Sequence, residues 1–347
     1  MAIMIDYENF GAVEATEGDL LLDALMLAGA PVPYSCQQGN CGTCKCELVA
    51  PLNAAQEGTI LELEYSEYAL PPELRAKNIL LACRTQVWGD IKVRRVDEED
   101  LMMHPSRILR CTVAKLEALT HDITGVTLQI GVGGPFTFSA GQYASVEFLP
   151  DIARDYSMAN TPAVSARDGR IEFQIRAAGG QVSQHIALGL KVGDSVKVRG
   201  PLGTSYLREK YTGPMLCIAG GSGLAPIESI VHDALQGGFA HPIYLYIGAR
   251  SPADLYHLAE LRALSEKHPK FSIEVVLVEG GSAANGTRSG HVTKAVSDDF
   301  PDARGMKAYV AGPPVMVEAA THLLQSRGMK SRDIHADAFY THANKNK

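Results

Sequence analysis

Three thiols stand at Cys36, Cys41 and Cys44 in the run Tyr34-Ser35-Cys36-Gln37-Gln38-Gly39-Asn40-Cys41-Gly42-Thr43-Cys44, and a fourth, Cys83, follows in Leu81-Ala82-Cys83-Arg84. With the C-x4-C-x2-C spacing, a single loop presents three of the four thiolates that a 2Fe-2S cluster needs. Gly39 and Gly42 let that loop curl until its amides face the cluster sulfur. Zinc sites more often show paired C-x2-C units, so Cys36, Cys41, Cys44 and Cys83 are assigned to iron. Cys46, Cys111 and Cys217 read as small buried hydrophobes.

Two further groups of residues suit nucleotides. Arg154-Asp155-Tyr156-Ser157-Met158 is followed by Arg176-Ala177-Ala178-Gly179-Gly180-Gln181-Val182-Ser183 at the opening of an expected helix. Together they supply guanidinium charge and a helix N-terminus for a pyrophosphate, an aromatic face for a ring and a hydroxyl for its edge, which is what a flavin dinucleotide requires. Ala219-Gly220-Gly221-Ser222-Gly223-Leu224-Ala225-Pro226 then follows an apolar strand and opens a helix, with Pro226 suited to its first turn. The Rossmann fingerprint is absent: Pro226 takes the third glycine position, and no acid closes the next strand at Gly248-Ala249-Arg250. A second loop, Ala311-Gly312-Pro313-Pro314-Val315-Met316, would lie at the same carboxyl edge of the sheet.

The elements that must hold these residues fall into three stretches. Residues 1–98 read as two strands, a helix carrying Leu21, Leu22, Leu25, Met26 and Gly29 on one face, the cysteine loop, and strands near Lys45–Val49 and Ile91–Val96. Thr16-Glu17-Gly18-Asp19 has the form of a capping box before the helix. Asp97-Glu98-Glu99-Asp100 and His104-Pro105 break both periodicities, so 99–106 reads as a linker. Short alternating segments in 107–210 suit an antiparallel barrel, and apolar strands alternating with helical patterns in 211–347 give βαβ order and a doubly wound parallel sheet. The tail from His342 to Lys347 reads as disordered.

Composition narrows the function classes. With 46% hydrophobic and 20% charged residues the chain has the makeup of globular domains. No apolar run reaches the ~18 residues of a membrane span, and the start lacks a basic region followed by an apolar core, so a cytoplasmic location is expected. Residues 1–100 hold 17 acids against 7 bases, whereas the remainder holds 22 against 25, or −10 against +3. An acidic head argues against nucleic acid and suits docking to a basic surface.

From about Met1 to Tyr340 the three motifs, in this order, resemble the reductase components of bacterial ring-hydroxylating dioxygenases, of the naphthalene dioxygenase reductase type. The resemblance implies a β-grasp ferredoxin fused ahead of a ferredoxin-NADP reductase-like module: an α+β cluster domain, an antiparallel β-barrel for FAD and an α/β domain for NADH. It implies that Arg154, Tyr156 and Ser157 hold the FAD, with Arg176, Gly180, Val182 and Ser183 around its pyrophosphate. Gly221, Ser222, Gly223, Ala225 and Pro226, with Gly312, Pro313 and Met316, would bracket the nicotinamide nucleotide, and Gly248, Arg250 and Asp254 would meet its adenosine half. Phe339 is implied as the ring over the flavin and Asp337 as the acid where relatives often carry glutamate, completing a catalytic set with Ser157. Many relatives have cysteine where this chain has Ala311.

Such an enzyme takes hydride from NADH onto FAD and releases electrons singly through the cluster to a terminal oxygenase or an intermediate ferredoxin. The same motifs would serve a di-iron monooxygenase, a cytochrome P450 or a deoxysugar dehydratase system. A redox-sensing adaptor is the reading from another class.

Overall fold

The computed structural model describes residues 1–340 except 31, 35, 36, 40, 41, 52–57, 68, 97–101 and 103, and omits the side chains of 50 and 51. Cys36 and Cys41, most of the expected acidic linker and the tail from His342 to Lys347 therefore lie outside the described residues. The chain divides into two compact units, Met1–Met103 and His104–Lys347.

In the first unit β1 (Ala2–Tyr7) pairs antiparallel with β2 (Gly11–Thr16) and parallel with β7 (Ile91–Arg95). β3 (Lys45–Pro51) joins β7 on its other side, and β5 (Ile79–Leu81) completes the order β2-β1-β7-β3-β5. A second small pair joins β4 (Ile60–Glu62) to β6 (Thr85–Val87). This is the β-grasp arrangement expected, with α1 (Leu21–Leu27) burying Leu21, Leu22, Ala24 and Leu25. Two local expectations were wrong. Helix α1 has no side-chain cap: the Asp19 carboxylate accepts from the Thr16 amide at 2.8 Å and closes a turn instead. Gly29 is exposed beyond the helix at φ +78°, a left-handed terminator and not part of the buried face. A short helix, α2 (Pro72–Arg75), precedes β5.

The second unit begins with a six-stranded antiparallel sheet. Its strands are β8 (Arg107–Ala118), β9 (Ile123–Val132), β10 (Tyr143–Leu149), β11 (Ile152–Ser157), β12 (Arg170–Arg176) and β13 (Ser195–Leu202), in the order β11-β10-β13-β8-β9-β12. An antiparallel bridge between Met158 and Phe173 joins the two ends, so the sheet closes as a barrel over a core that includes Phe136, Phe138, Phe148 and Phe173. Helix α3 (Pro162–Asp168), capped by the Thr161 hydroxyl at one end and left-handed Gly169 at the other, was not anticipated. Helix α4 (Gln181–Leu188) opens on Gly180 as expected.

The remaining strands are all parallel: β14 (Met215–Gly220), β15 (Ile243–Ala249), β16 (Phe271–Leu277), β17 (Arg288–Ser289), β18 (Lys307–Gly312) and β19 (Ile334–Ala338), ordered β17-β16-β15-β14-β18-β19. The order reverses between β14 and β18, so both glycine loops lie at the topological switch point, where such sheets bind ligands. The first loop opens α5 (Leu224–Gln236) and the second opens α8 (Pro314–Ser326), with α6 (Leu258–Lys267) and α7 (Val292–Asp299) between them in the chain. Among the described residues no helix is long and apolar enough to cross a membrane.

Candidate functional site

The cysteine loop is shaped by backbone that admits no side chain. Gln37, Gly39 and Gly42 all have left-handed φ, at +55°, +79° and +69°. A Cβ on Gly39 would meet Tyr65 Cβ at 2.8 Å, and one on Gly42 would meet the Ala69 carbonyl oxygen at 2.7 Å. The loop runs into β3 just after Cys44, and a single 3-10 turn, Ala82–Arg84, carries Cys83. The Sγ atoms of Cys44 and Cys83 lie 3.2 Å apart, both buried and not disulfide-bonded, and the Cys83 amide points at Cys44 Sγ at 3.5 Å. A buried, convergent pair of thiols outside any disulfide, beside a glycine cradle, fits a cluster, which would draw charge from both sulfurs. The other thiols behave as expected of structural cysteines: burial pushes Cys46 and Cys217 up to about 12 and Cys111 to about 11.

The flavin candidates lie along β11 and at the opening of α4. Arg154 Nη1 donates to the Ala153 carbonyl oxygen, and Tyr156, two residues on along β11, meets Phe148 and Phe173 edge-on at 5.8 and 6.4 Å. Burial raises the Tyr156 hydroxyl to about 12, against the opposing pull of Arg154, so it is neutral at working pH. Ser157 Oγ donates to Asp337 Oδ2 at 3.1 Å across 180 residues of chain. Asp337 pairs in register with Ala311, and the Phe339 amide donates to the Gly312 carbonyl at 2.9 Å. The structure thus gathers Ser157, Asp337, Phe339 and the Gly-Pro-Pro loop at one edge. Ser183 Oγ donates to the Gly180 carbonyl, while the Val182 side chain lies in the barrel core, which leaves α4 its N-terminal amides for a pyrophosphate.

A cleft of about 600 Å³ opens at the switch point. Gly220, Gly221, Gly248, Arg250, Asp254, Pro313 and Met316 line it. Its tightness is set by glycines: a Cβ on Gly220 would lie 2.7 Å from Met316 Sδ, and one on Gly223 would lie 2.1 Å from the Ala311 carbonyl oxygen. The side chains of Ala225 and Pro226 are buried under the loop and do not line the cleft. Space of this size walled by close-approach backbone fits a dinucleotide half.

Arg176 is placed differently from the rest of its expected group. It lines this cleft, pairs with Asp122 at 2.9 Å, and sets its guanidinium where a Cβ on Gly221 would meet Nη1 at 2.6 Å. At the outer end Arg250 pairs with Glu279 at 3.1 Å. Burial works to raise Asp254, but hydrogen bonds from the Ser251 hydroxyl and amide, both 2.8 Å, outweigh it and hold the carboxyl below its usual range.

Sequence reasoning missed a polar cluster beneath the first loop. Gln174, Glu228, Tyr256 and His257 come from β12, α5 and the segment after β15, and no local spacing marks them. It also missed His121, Asp122 and Glu279 on the cleft wall. A Tyr-His pair two residues after Asp254 was the one signal available.

Comparison with known families gives three adjoining matches: a 2Fe-2S iron-sulfur cluster binding domain over residues 10–87, an oxidoreductase FAD-binding domain over 110–206 and an oxidoreductase NAD-binding domain over 217–322. The chain thus carries binding domains for all three cofactors. It is 42% identical over 332 residues, 94% of this chain and 95% of the relative, to the ferredoxin–NAD(P)+ reductase component of naphthalene 1,2-dioxygenase/salicylate 5-hydroxylase systems from Ralstonia sp. It is 39% identical to the corresponding naphthalene 1,2-dioxygenase component of Pseudomonas putida, covering 98% and 99% of the two chains. A crystal structure of an Amycolatopsis cytochrome P450 reductase superposes with TM-score 0.75 at 34% identity, covering 97% and 98%.

Proposed function

The chain belongs to the family of ferredoxin–NAD(P)+ reductase components of multicomponent oxygenase systems, and from that premise we propose that it oxidises NADH and delivers single electrons to the oxygenase, or intermediate ferredoxin, of a Rieske-type aromatic-hydroxylating system. The observation that carries this reading is the juxtaposition, at the end of β18, of the Ser157–Asp337 pair with the mouth of the nucleotide cleft. FAD, when bound, takes electrons as a hydride pair and returns them one at a time.

The chain's own residues then divide the work. The N-terminal amides of α4 behind Gly180 and the guanidinium of Arg154 hold the flavin's phosphates. Tyr156, kept neutral by burial, offers an uncharged aromatic wall. Ser157 Oγ, orientated by the Asp337 carboxylate to which it donates, would offer a hydroxyl at the flavin's edge, and Phe339 would supply an aromatic ring beside it. Arg176 and the Gly220–Gly223 turn take the nucleotide pyrophosphate. Cys44 and Cys83, which converge, would hold a cluster together with Cys36 and Cys41, and that cluster would supply one-electron chemistry.

NADH is favoured over NADPH by charge. Glu279 already engages the Arg250 guanidinium, and Asp254 adds a second carboxylate to the wall of the same cleft, so a 2′-phosphate there would enter against negative charge. A cytochrome P450 as recipient is the second reading, favoured by the structural match to the Amycolatopsis reductase.

Anaerobic NADH should bleach both the flavin and the cluster bands within the dead time of a few turnovers, and cytochrome c reduction should follow. An absence of bleaching sinks the proposal. Supplying reduced chain to a Rieske oxygenase and to a P450 in parallel separates the two recipients, and the ratio of kcat/KM for NADH and NADPH checks the nucleotide.

A further inference from the structure

Beneath the first glycine loop a carboxylate is buried at the seam between barrel and parallel sheet. Glu228, on the second turn of α5, is 6% exposed. Its Oε2 accepts from Gln174 Nε2 at 2.6 Å, and both of its oxygens lie 3.0–3.1 Å from His257 Nδ1. Gln174 belongs to barrel strand β12, and its Oε1 accepts from the Tyr256 hydroxyl at 2.6 Å. The same hydroxyl lies 3.2 Å from the Gly221 carbonyl oxygen. A charge buried this deeply is costly unless paired and hydrogen-bonded, and here the side chains of Gln174 and His257 satisfy it.

The geometry converges on Gly221. Its carbonyl faces Tyr256, while Arg176, two residues beyond Gln174 on the same face of β12, closes on its Cα side. Gly221 has φ +57°, a conformation open to only a few residues, so the turn has little freedom left once both neighbours are set. One residue past Glu228, the fully buried Ser229 donates to the Asn160 carbonyl in the barrel at 2.8 Å, pinning the same turn of α5. None of Glu228, Gln174, Tyr256 or His257 lines the cleft.

We propose that Glu228, acting through Gln174 and Tyr256, is a positioning residue that holds the Gly221 turn in its nucleotide-binding conformation, so that the flavin-side barrel sets the shape of the nicotinamide-side loop. The proposal rests on the cleft being the NADH site. The His257 ring, with Nδ1 against both carboxylate oxygens, helps to keep Glu228 facing Gln174. Because the network touches the loop and not the reacting atoms, its loss should weaken binding of NADH in ground and transition state alike, raising KM and leaving kcat in place.

Tyr256→Phe removes one hydroxyl and no volume, and Glu228→Gln keeps the shape of the acid. In the full-length, cofactor-loaded chain both should raise KM for NADH about tenfold, the order expected for one buried hydrogen bond. The rate at saturating NADH should stay within twofold, with flavin content and thermal midpoint of Tyr256→Phe unchanged. Unaltered KM in a flavin-loaded Tyr256→Phe overturns the proposal, as does a fall in kcat at constant KM. Should Glu228→Gln fail to fold, Tyr256→Phe alone decides. Wild-type chain that NADH cannot bleach refutes the cleft assignment itself, whereas normal wild-type bleaching with silent variants refutes only the positioning role.

Discussion

The cysteine loop and the nucleotide cleft are held by opposite means. The loop packs three thiols into nine residues and keeps its path because Gly39 and Gly42 leave no room for a side chain. The cleft draws on β12, β14, β15, β16, the turn before β9 and the starts of α7 and α8, and much of its wall is held by ion pairs and hydrogen bonds such as Arg176–Asp122 and Ser251–Asp254. A site built on excluded volume fails completely when disturbed. A site built on polar contacts loses function in increments.

The largest expected effect tests the first half of that contrast. Cys83→Ser should remove the cluster absorbance and lower cytochrome c reduction at least about a hundredfold, while NADH-driven flavin bleaching stays within twofold. Gly42→Ala, with φ +69° and the Ala69 carbonyl 2.7 Å away, should do nearly the same although it deletes no ligand. A cluster-loaded Gly42→Ala chain would break the comparison.

Gly223→Ala probes the tightest of the glycine approaches behind the cleft, where it resembles the loop. A Cβ 2.1 Å from backbone oxygen cannot be relieved by a rotamer, so denaturant unfolding should report a loss of about 3 kcal/mol or more. Asp337→Ala is the graded counterpart. With the Ser157 hydroxyl left without its acceptor, stopped-flow flavin reduction by NADH should slow by about tenfold, with the thermal midpoint little changed.

The smallest effect is one of pH. His335 is buried on Tyr309, its ring stacked at 5.1 Å and its Nε2 3.4 Å from Lys307 Nζ. Burial, then the charges of Arg208 and Lys307, hold it well below its ordinary 6.5. The unfolded chain therefore takes up this proton first as pH falls. The stability His335 contributes is present above 6.5 and is lost progressively below it. His335→Gln should show a shallower fall in thermal midpoint than wild type between pH 6.5 and 5. His257 runs the other way: its hydrogen bond to Glu228 raises it, so its contribution is complete below 6.5 and fades as pH climbs through the raised value.

How far the sequence revealed these features follows from chain distance. The parallel βαβ character of the α/β part and its two glycine loops were legible because each lies where an apolar run meets a turn, whereas the order of the strands in the sheet was not. The cluster motif was legible for the same reason, and of its thiols Cys44 and Cys83 are seen to converge. Gln174, Glu228 and Tyr256 were not legible, since 54 and 82 residues separate the partners and each alone looks like an ordinary core or surface residue. Arg176 was grouped with the flavin because Gly180 follows it in sequence, but the end of β12 directs it toward Gly221. The Thr16–Asp19 pattern misled because one carboxylate can serve a turn or a helix, and spacing does not tell which.

The seam between barrel and parallel sheet carries a kinetic consequence. Ser157–Asp337, Gln174–Glu228, Ser229–Asn160 and the Arg208 amide on the Tyr309 hydroxyl, at 2.8 Å, cross it at separate points. A hinge there would have to break these together with the Tyr256–Gln174 bond. The expected consequence is that flavin reduction by NADH proceeds without a clamshell motion of the two halves, so its rate should be indifferent to solvent viscosity.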